Sequence, residues 1–355
     1  MQNSVLTSHL ASYQEPIGGI SSEESQCALG CERQALVRVL RSYSQLVKPK
    51  IIALLLMTTA GAMWMAGNTD LFRFFITLLG GGMAAAAANV INMVYDADID
   101  RMMERTRHRP LPSGRIRARD ALIFAGILAL TAFGLLAIFT NLLAAGLAML
   151  GILVYVGVYT HWLKRSSTQN IVIGGAAGAI PPLVGWAATT GELSWAAWVM
   201  FAIIFLWTPP HFWALAILKR EDYARAGVPM LPVVAGERLT AAQILLYALL
   251  MVPVSLLLVY PLGMLGSFYL SAAVLLGSLL VMKAVQLLQD PCNRERAASL
   301  FTFANLYLLL LCAAMGLDRW SLTHTLWSQA TASLQGICTT LIALASHFAQ
   351  GGSLG

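Results

Sequence analysis

Charge is scarce in this chain. Only 11% of its 355 residues are charged and 58% are hydrophobic, where a soluble globular protein carries roughly 25% charged residues. That composition excludes a soluble enzyme and points to an integral membrane protein. Polar–apolar alternation is also missing from the apolar runs, so a transmembrane β-barrel is not expected. The five cysteines, Cys27, Cys31, Cys292, Cys312 and Cys338, lack the paired spacing of a zinc site. No Ser-His-Asp or Cys-His constellation announces covalent catalysis. The first 45 residues have no apolar core of the kind a signal peptide requires.

What is present is a succession of long apolar runs. Nine are long enough to span, at about 49–67, 72–95, 120–140, 142–160, 171–190, 195–218, 240–262, 267–287 and 298–317, each near the ~20 residues that a transmembrane helix needs. The expected class is therefore all-α and integral to the membrane, with nine transmembrane helices in a domain over residues 46–317. Residues 1–45 read as a polar tail ending in an amphipathic lead-in. Residues 318–355 read as an interfacial helix or a loosely ordered tail.

Positive charge fixes an orientation. The tail and the loops after spans two, four, six and eight hold 21 of the 23 basic residues, and the opposite face has only Arg73 and Arg319. The positive-inside rule then places the amino terminus and the even-numbered loops in the cytoplasm and the carboxyl terminus on the other side, as expected in a bacterial inner (plasma) membrane. The net charge of +6 is an orientation signal, and nucleic acid is not an expected partner. The opposite face has short turns such as Thr140-Asn141 and Thr189 to Glu192, and no chemistry is expected there.

The chain is organised around residues 89–114, where acid and base crowd together after an uncharged run. Asn92, Asp96 and Asp100 fall four apart, which puts an amide and two carboxylates on one helix face, while Asp98 points elsewhere. Like charges at that spacing repel by roughly 0.2–0.5 kcal/mol, so a cation is required. Arg101 and Arg105 could supply it as a solvated surface cluster. The alternative is a Mg²⁺ site, with hard oxygen ligands on one side and water and substrate phosphate completing the shell.

Two further clusters lie on the same side. One contains Tyr159, Lys164, Arg165, Thr168 and Asn170, followed by Gly174, Gly175, Gly178 and Ala179, small residues that let helices approach closely. The other runs from Trp207-Thr-Pro-Pro-His-Phe-Trp through Lys219, Glu221, Asp222 and Tyr223. Pro181, Pro182, Pro209 and Pro210 sit within spans five and six, where paired kinks predict a cavity between the two helices. His211, at membrane depth beside one such kink, is either a packing residue or a ligand.

Taken together, Asn92-x-x-x-Asp96-x-x-x-Asp100, the Arg-x-Arg-x-Arg-Pro run at 105–110, Tyr159-Thr-x-x-Leu-Lys-Arg and Trp207-Thr-Pro-Pro-His-Phe-Trp resemble the membrane prenyltransferase superfamily, and within it the haem-farnesylating branch. The resemblance covers roughly residues 45–317. It implies nine helices around a central cavity open to the membrane, with Asp96, Asp100 and Asn92 holding Mg²⁺ and a prenyl diphosphate. A second motif in many relatives is Asp-x-x-x-Asp. Here the corresponding positions are Lys219 and Tyr223, so a second full metal site is not expected, and both residues are assigned to the diphosphate.

The implied reaction transfers the farnesyl group of farnesyl diphosphate to a vinyl group of haem B. Arg105, Arg109, Lys164 and Arg165 would balance the leaving group's charge. Tyr159, Asn170 and Asp222 are further candidate substrate contacts, and His211 is the proposed haem contact, with His161 as an alternative. Membrane lipid and haem-handling or oxidase-assembly proteins are the further partners implied. A prenyltransferase for a quinone precursor or a chlorophyll-type alcohol would share the first motif but carry aspartates at 219 and 223. A secondary transporter or a non-catalytic haem chaperone is the more distant alternative.

Overall fold

The computed structural model describes residue 34, residues 37–67 and residues 70–319. Two compact units divide the chain, Met1–Ser44 and Gln45–Gly355. In the first, residues 37–44 are helical. The expected C-terminal interfacial helix, beyond residue 319, lies outside the described residues, as does most of the N-terminal tail.

The second unit contains nine helices long and apolar enough to cross a membrane among its described residues. They are α1 (Pro49–Ala66), α2 (Leu71–Tyr95), α3 (Ala118–Phe139), α4 (Leu142–Ser166), α5 (Asn170–Thr190), α6 (Trp195–Leu218), α7 (Gly236–Leu256), α8 (Ser267–Gln289) and α9 (Arg294–Asp318). No strand occurs among the described residues. The chain is a multi-pass membrane protein.

Helix ends follow local chemistry. Asn141 accepts a hydrogen bond from the Ala144 amide at 2.8 Å and starts α4 directly after the turn that ends α3. Gly191, at φ 79°, terminates α5 in the left-handed conformation that glycine adopts freely. The seventh span stops at Leu256, short of the expected 262. Pro261 has no amide hydrogen to extend the helix, and it disfavours helical backbone at Tyr260. The fourth span, expected to stop at 160, continues to Ser166. From Val154 to Leu163 its backbone is a π-helix.

Packing makes α5 and α6 the inner pair. In each, 61% of the most apolar 18-residue window is buried, against 17% in α3, whose Leu130 and Ile138 are exposed. Helix α5 packs on α1, α4 and α6, while α6 packs on α7 and α9, and α9 returns to α1. Small residues set these approaches. A Cβ on Gly185 would fall 2.5 Å from the Thr59 carbonyl oxygen of α1, and one on Gly175 would fall 3.0 Å from Thr208 of α6.

The proline pairs lie inside continuous helices, and at the level of Gly175 and Thr208 α5 and α6 are in direct contact. A small apolar cavity of about 10 Å³ lies between α1, α6 and α9, against Thr58, Ile203, Ile204, Leu308, Leu311 and Cys312. Gly178, grouped with the close-packing residues, faces open space.

Candidate active site at the polar end of the bundle

At its end α2 passes into a short helix, Ala97–Met102, and the backbone bonds from Asp96 N to Asn92 O and from Asp100 N to Asp96 O keep the helical register across the junction. Asn92, Asp96 and Asp100 therefore share a face, and all three are buried. Burying two carboxylates demands partners. Lys164 Nζ donates to Asp96 Oδ2 at 2.5 Å, and Arg109 Nη1 donates to Asp100 Oδ2 at 2.7 Å. Arg109 is delivered by the turn after the short helix, which buried Thr106 pins by donating from its hydroxyl to the Asp100 carbonyl.

Asn92 ties three segments together. Its Nδ2 donates to Asp96 Oδ2 at 2.9 Å and to Thr160 Oγ1 at 3.1 Å, while its Oδ1 accepts from Lys48 Nζ at 2.9 Å. In the sequence Lys48 reads only as an orientation charge. It immediately precedes Pro49, the first residue of α1, and has φ 58° and ψ 62°, the one non-glycine residue with positive φ among the described residues. That conformation is costly for an L-residue with a side chain. Asn89 supports it by donating to the Val47 carbonyl at 3.2 Å. Burial, with Arg109 and Lys164 nearby, pulls the Lys48 ammonium down to about 7. The legible signal was the Lys-Pro pair at the start of the first apolar run, since proline at the first helical position makes the preceding residue a cap at the membrane edge.

The π-helix supplies the other wall. Bonds from residue i to i+5 bring positions five apart into near register, where an α-helix would separate them by about 140°. Thr160 Oγ1 accordingly donates to the Tyr155 carbonyl, and the Lys164 amide bonds the Tyr159 carbonyl. Lys164 Nζ lies 5.9 Å from the centroid of the Tyr159 ring, which stacks on Tyr155 at 5.5 Å. Gly174 makes room for Tyr159, because a Cβ there would sit 2.3 Å from its Cδ2. This glycine seats a side chain of the site as well as easing helix contact.

The remaining sequence candidates divide. Tyr223, on the short helix Arg220–Arg225, is partly buried, and both it and Asp96 lie within electrostatic reach of the Tyr159 hydroxyl. Asn170 opens α5 fully buried, with neither amide atom hydrogen-bonded. His211 is buried with Nδ1 unpartnered, its ring lying between Trp207 at 4.5 Å and Phe301 at 4.7 Å. Trp207 is itself fixed by a 2.7 Å bond to the Ala304 carbonyl.

Others face outward. Arg165 makes a two-armed pair with Asp98 at 2.7 and 2.8 Å and does not join the buried carboxylates. The Arg165 hydrogen bonds hold the Asp98 carboxyl below the usual carboxylate range. Asp98 does point away from Asp96 and Asp100, as its spacing predicts. His161 is exposed and edge-on to Tyr95. Asp222 pairs with Arg225, while Arg105 and Lys219 are exposed without an ion pair among the described residues.

Among the described residues no three or more His, Cys, Asp or Glu side chains gather, so an all-protein cage is not formed. Magnesium is usually held by one or two carboxylates together with water and substrate phosphate. Asp96 and Asp100 fit that pattern, and Asp96 Oδ1 is buried with no hydrogen-bond partner.

The UbiA prenyltransferase family profile matches residues 54–309, so the chain, with its nine apolar helices among the described residues, belongs to that family of membrane prenyltransferases. It is 94% identical over 330 residues, 93% of this chain and all of its relative, to the protoheme IX farnesyltransferase of Synechococcus sp. (strain JA-2-3B'a(2-13)). Among solved structures, digeranylgeranylglyceryl phosphate synthase superposes with a TM-score of 0.66 at 23% identity, over 79% of this chain and 98% of that one. A UbiA homologue from Archaeoglobus fulgidus bound to DMAPP and Mg²⁺ gives 0.55 at 16% identity, over 77% and 99%. These structural likenesses establish the fold.

Proposed function

We propose that this protein transfers the farnesyl group of farnesyl diphosphate to a vinyl group of protohaem IX (haem B), with water adding to the other vinyl carbon, to give haem O and diphosphate. The near-identity to a protoheme IX farnesyltransferase carries the assignment of substrates. The buried cluster of Asn92, Asp96, Asp100, Lys164 and Arg109 carries the chemistry.

The demanding step is heterolysis of the allylic carbon–oxygen bond, which leaves a carbocation and a diphosphate with an extra negative charge. Asp96 and Asp100, with Asn92 beside them, would hold Mg²⁺, which when bound supplies Lewis-acid neutralisation of the leaving oxygens. Lys164 and Arg109 sit on those carboxylates and are placed to turn to phosphate, arginine offering a two-pronged contact. Arg105 and Lys219, both exposed, are assigned to capture of the free diphosphate. Tyr223 donates a hydrogen bond to it, and Asp222, on the same short helix, is assigned as a further substrate contact. Arg165, turned outward to Asp98, is kept as a contact for a diphosphate approaching from the polar side.

The stacked rings of Tyr155 and Tyr159 shield the allylic cation from water and stabilise it through their π faces. The vinyl π electrons of the haem form the new carbon–carbon bond. The positive charge passes to the vinyl carbon next to the macrocycle, where water adds and loses a proton. Asn170, whose amide has no partner inside the protein, is assigned to substrate, since buried amides rarely remain unpaired. His211 is assigned to the haem iron, its edge being the part of the ring that the flanking aromatics leave for ligation.

The proposed setting is a bacterial inner (plasma) membrane with the site on the cytoplasmic side, and haem-handling or oxidase-assembly proteins are the proposed partners. Purified protein incubated with haem B, farnesyl diphosphate and Mg²⁺, followed by mass spectrometry of the extracted porphyrin, tests the reaction. Recovery of unmodified haem alone would refute it.

A further inference from the structure

We infer that Asn170 holds the water that quenches the prenylated haem cation, and so determines that the product leaves as an alcohol rather than an alkene. This rests on the farnesyl-transfer reading above and concerns its final step.

Asn170 is fully buried at the start of α5, and among the described residues it is the one side chain with two buried polar atoms that lack a partner, Oδ1 and Nδ2. An asparagine near a helix start ordinarily spends its side chain as a cap. This one stands one residue inside the helix, after Gln169, and its side-chain amide bonds no backbone group. Buried amides rarely stay unpaired, so a bound molecule must serve it. The two open atoms ask for opposite things, since Nδ2 donates and Oδ1 accepts. A diphosphate oxygen or an ionised haem propionate would accept from Nδ2 and leave Oδ1 bare, while the farnesyl chain and the vinyl group offer neither donor nor acceptor. Water serves both atoms.

The position suits the chemistry. Asn170 and Gly174 lie one turn apart on the same face of α5, and Gly174 is where the Tyr159 ring sits, stacked on Tyr155. Lys164, which holds Asp96, precedes the turn at Ser167, whose carbonyl accepts from the Asn170 backbone amide at 3.3 Å. The side chain thus starts from the face that seats the cation-shielding rings, a short stretch of chain from the diphosphate end. Once the terminal vinyl carbon has bonded to the first farnesyl carbon, the positive charge rests on the carbon next to the macrocycle. The held water forms the new carbon–oxygen bond there, and the proton it releases passes to the diphosphate freed in the same turnover. In the competing path the neighbouring methylene loses a proton to the same base and a carbon–carbon double bond forms. Capture needs an oxygen held against the cationic carbon, and proton loss does not.

The test is the product ratio. Detergent-purified full-length protein is incubated with haem B, farnesyl diphosphate and Mg²⁺, the porphyrin is extracted without acid, and mass spectrometry separates the alcohol from the alkene, which is lighter by one water. Wild type should give the alcohol. In Asn170→Leu the ratio of alkene to alcohol should rise about tenfold, with the thermal midpoint held or raised. Asn170→Ser, whose hydroxyl still donates and accepts, should bring the ratio back toward wild type. A water or amide with a structural role alone would lower the midpoint or the total product and leave the ratio unmoved. A contact to diphosphate or propionate would raise the KM for farnesyl diphosphate or haem, again at an unmoved ratio. Either result, or loss of both products in the same proportion, would overturn the inference and leave the transfer reading standing. Wild type that yields no farnesylated porphyrin would overturn the transfer reading itself.

Discussion

Two stretches of this chain leave apolar helices on the same side of the bundle carrying mixed acid and base, and they come to opposite ends. After α2, Asp96 and Asp100 are buried and each is matched to a cation from a distant segment or turn. After α6, Glu221 pairs with Arg294 across a surface where their side chains are 79% and 65% exposed, and Asp222 pairs with its near neighbour Arg225. Exposed pairs contribute about 0–1 kcal/mol, whereas breaking a buried pair costs about 3–5 kcal/mol because a charge is left without a partner. Composition alone does not distinguish an active-site cluster from a membrane-surface one. The difference is whether other elements close over the charges.

The sharpest way to break the comparison is at the buried end. Asp96→Ala and Asp100→Ala should each lower farnesyl transfer by on the order of 10²–10³-fold or more, measured by mass spectrometry of the porphyrin product. Glu221→Gln, at the exposed end, should retain near wild-type turnover. If the two ends respond alike, burial is not what selects the site.

Gly174→Ala should come next. The added methyl meets the Tyr159 ring at 2.3 Å, and overpacking of this sort costs about 1–3 kcal/mol. The thermal midpoint should fall and turnover should drop with it, and a variant with native stability and activity would show that Tyr159 need not occupy this place. Asn170→Leu separates function from packing. An amide with no internal partner leaves nothing unsatisfied when replaced, so stability should hold or rise while turnover falls about tenfold. Loss of stability instead would mean that the amide is structural.

The smallest effect is expected at Asp98→Asn, two residues from each buried carboxylate. Its partner Arg165 and it are both largely exposed, so stability should change by no more than about 0.5 kcal/mol and turnover should stay near wild type. Strong inactivation would show that the pair fixes the π-helix and Lys164 more tightly than its exposure suggests.

Nine spans, all but two bounded within about four residues of their observed limits, could be read from continuous apolar runs, because a lipid-embedded helix must be apolar over its whole length. The Asn92, Asp96 and Asp100 face was equally legible, since helical spacing is a local property. The basic residues around them were visible as a set but not as partners. Arg109 joins the buried acids, while Arg165 turns outward to Asp98.

Lys48 and the π-helix mark the limit of that reading. Neither the left-handed conformation before Pro49 nor the i to i+5 register of residues 154–163 has an unambiguous sequence signature, because each is locally unfavourable and persists only where the rest of the bundle holds it. The sequence by itself determined that the chain is a helical membrane protein, which side its charges favour, and which helix end gathers the acids. Only the tertiary structure decided which charges are buried together and which cations they meet, because desolvation and pairing depend on what other segments bring to the same few ångströms.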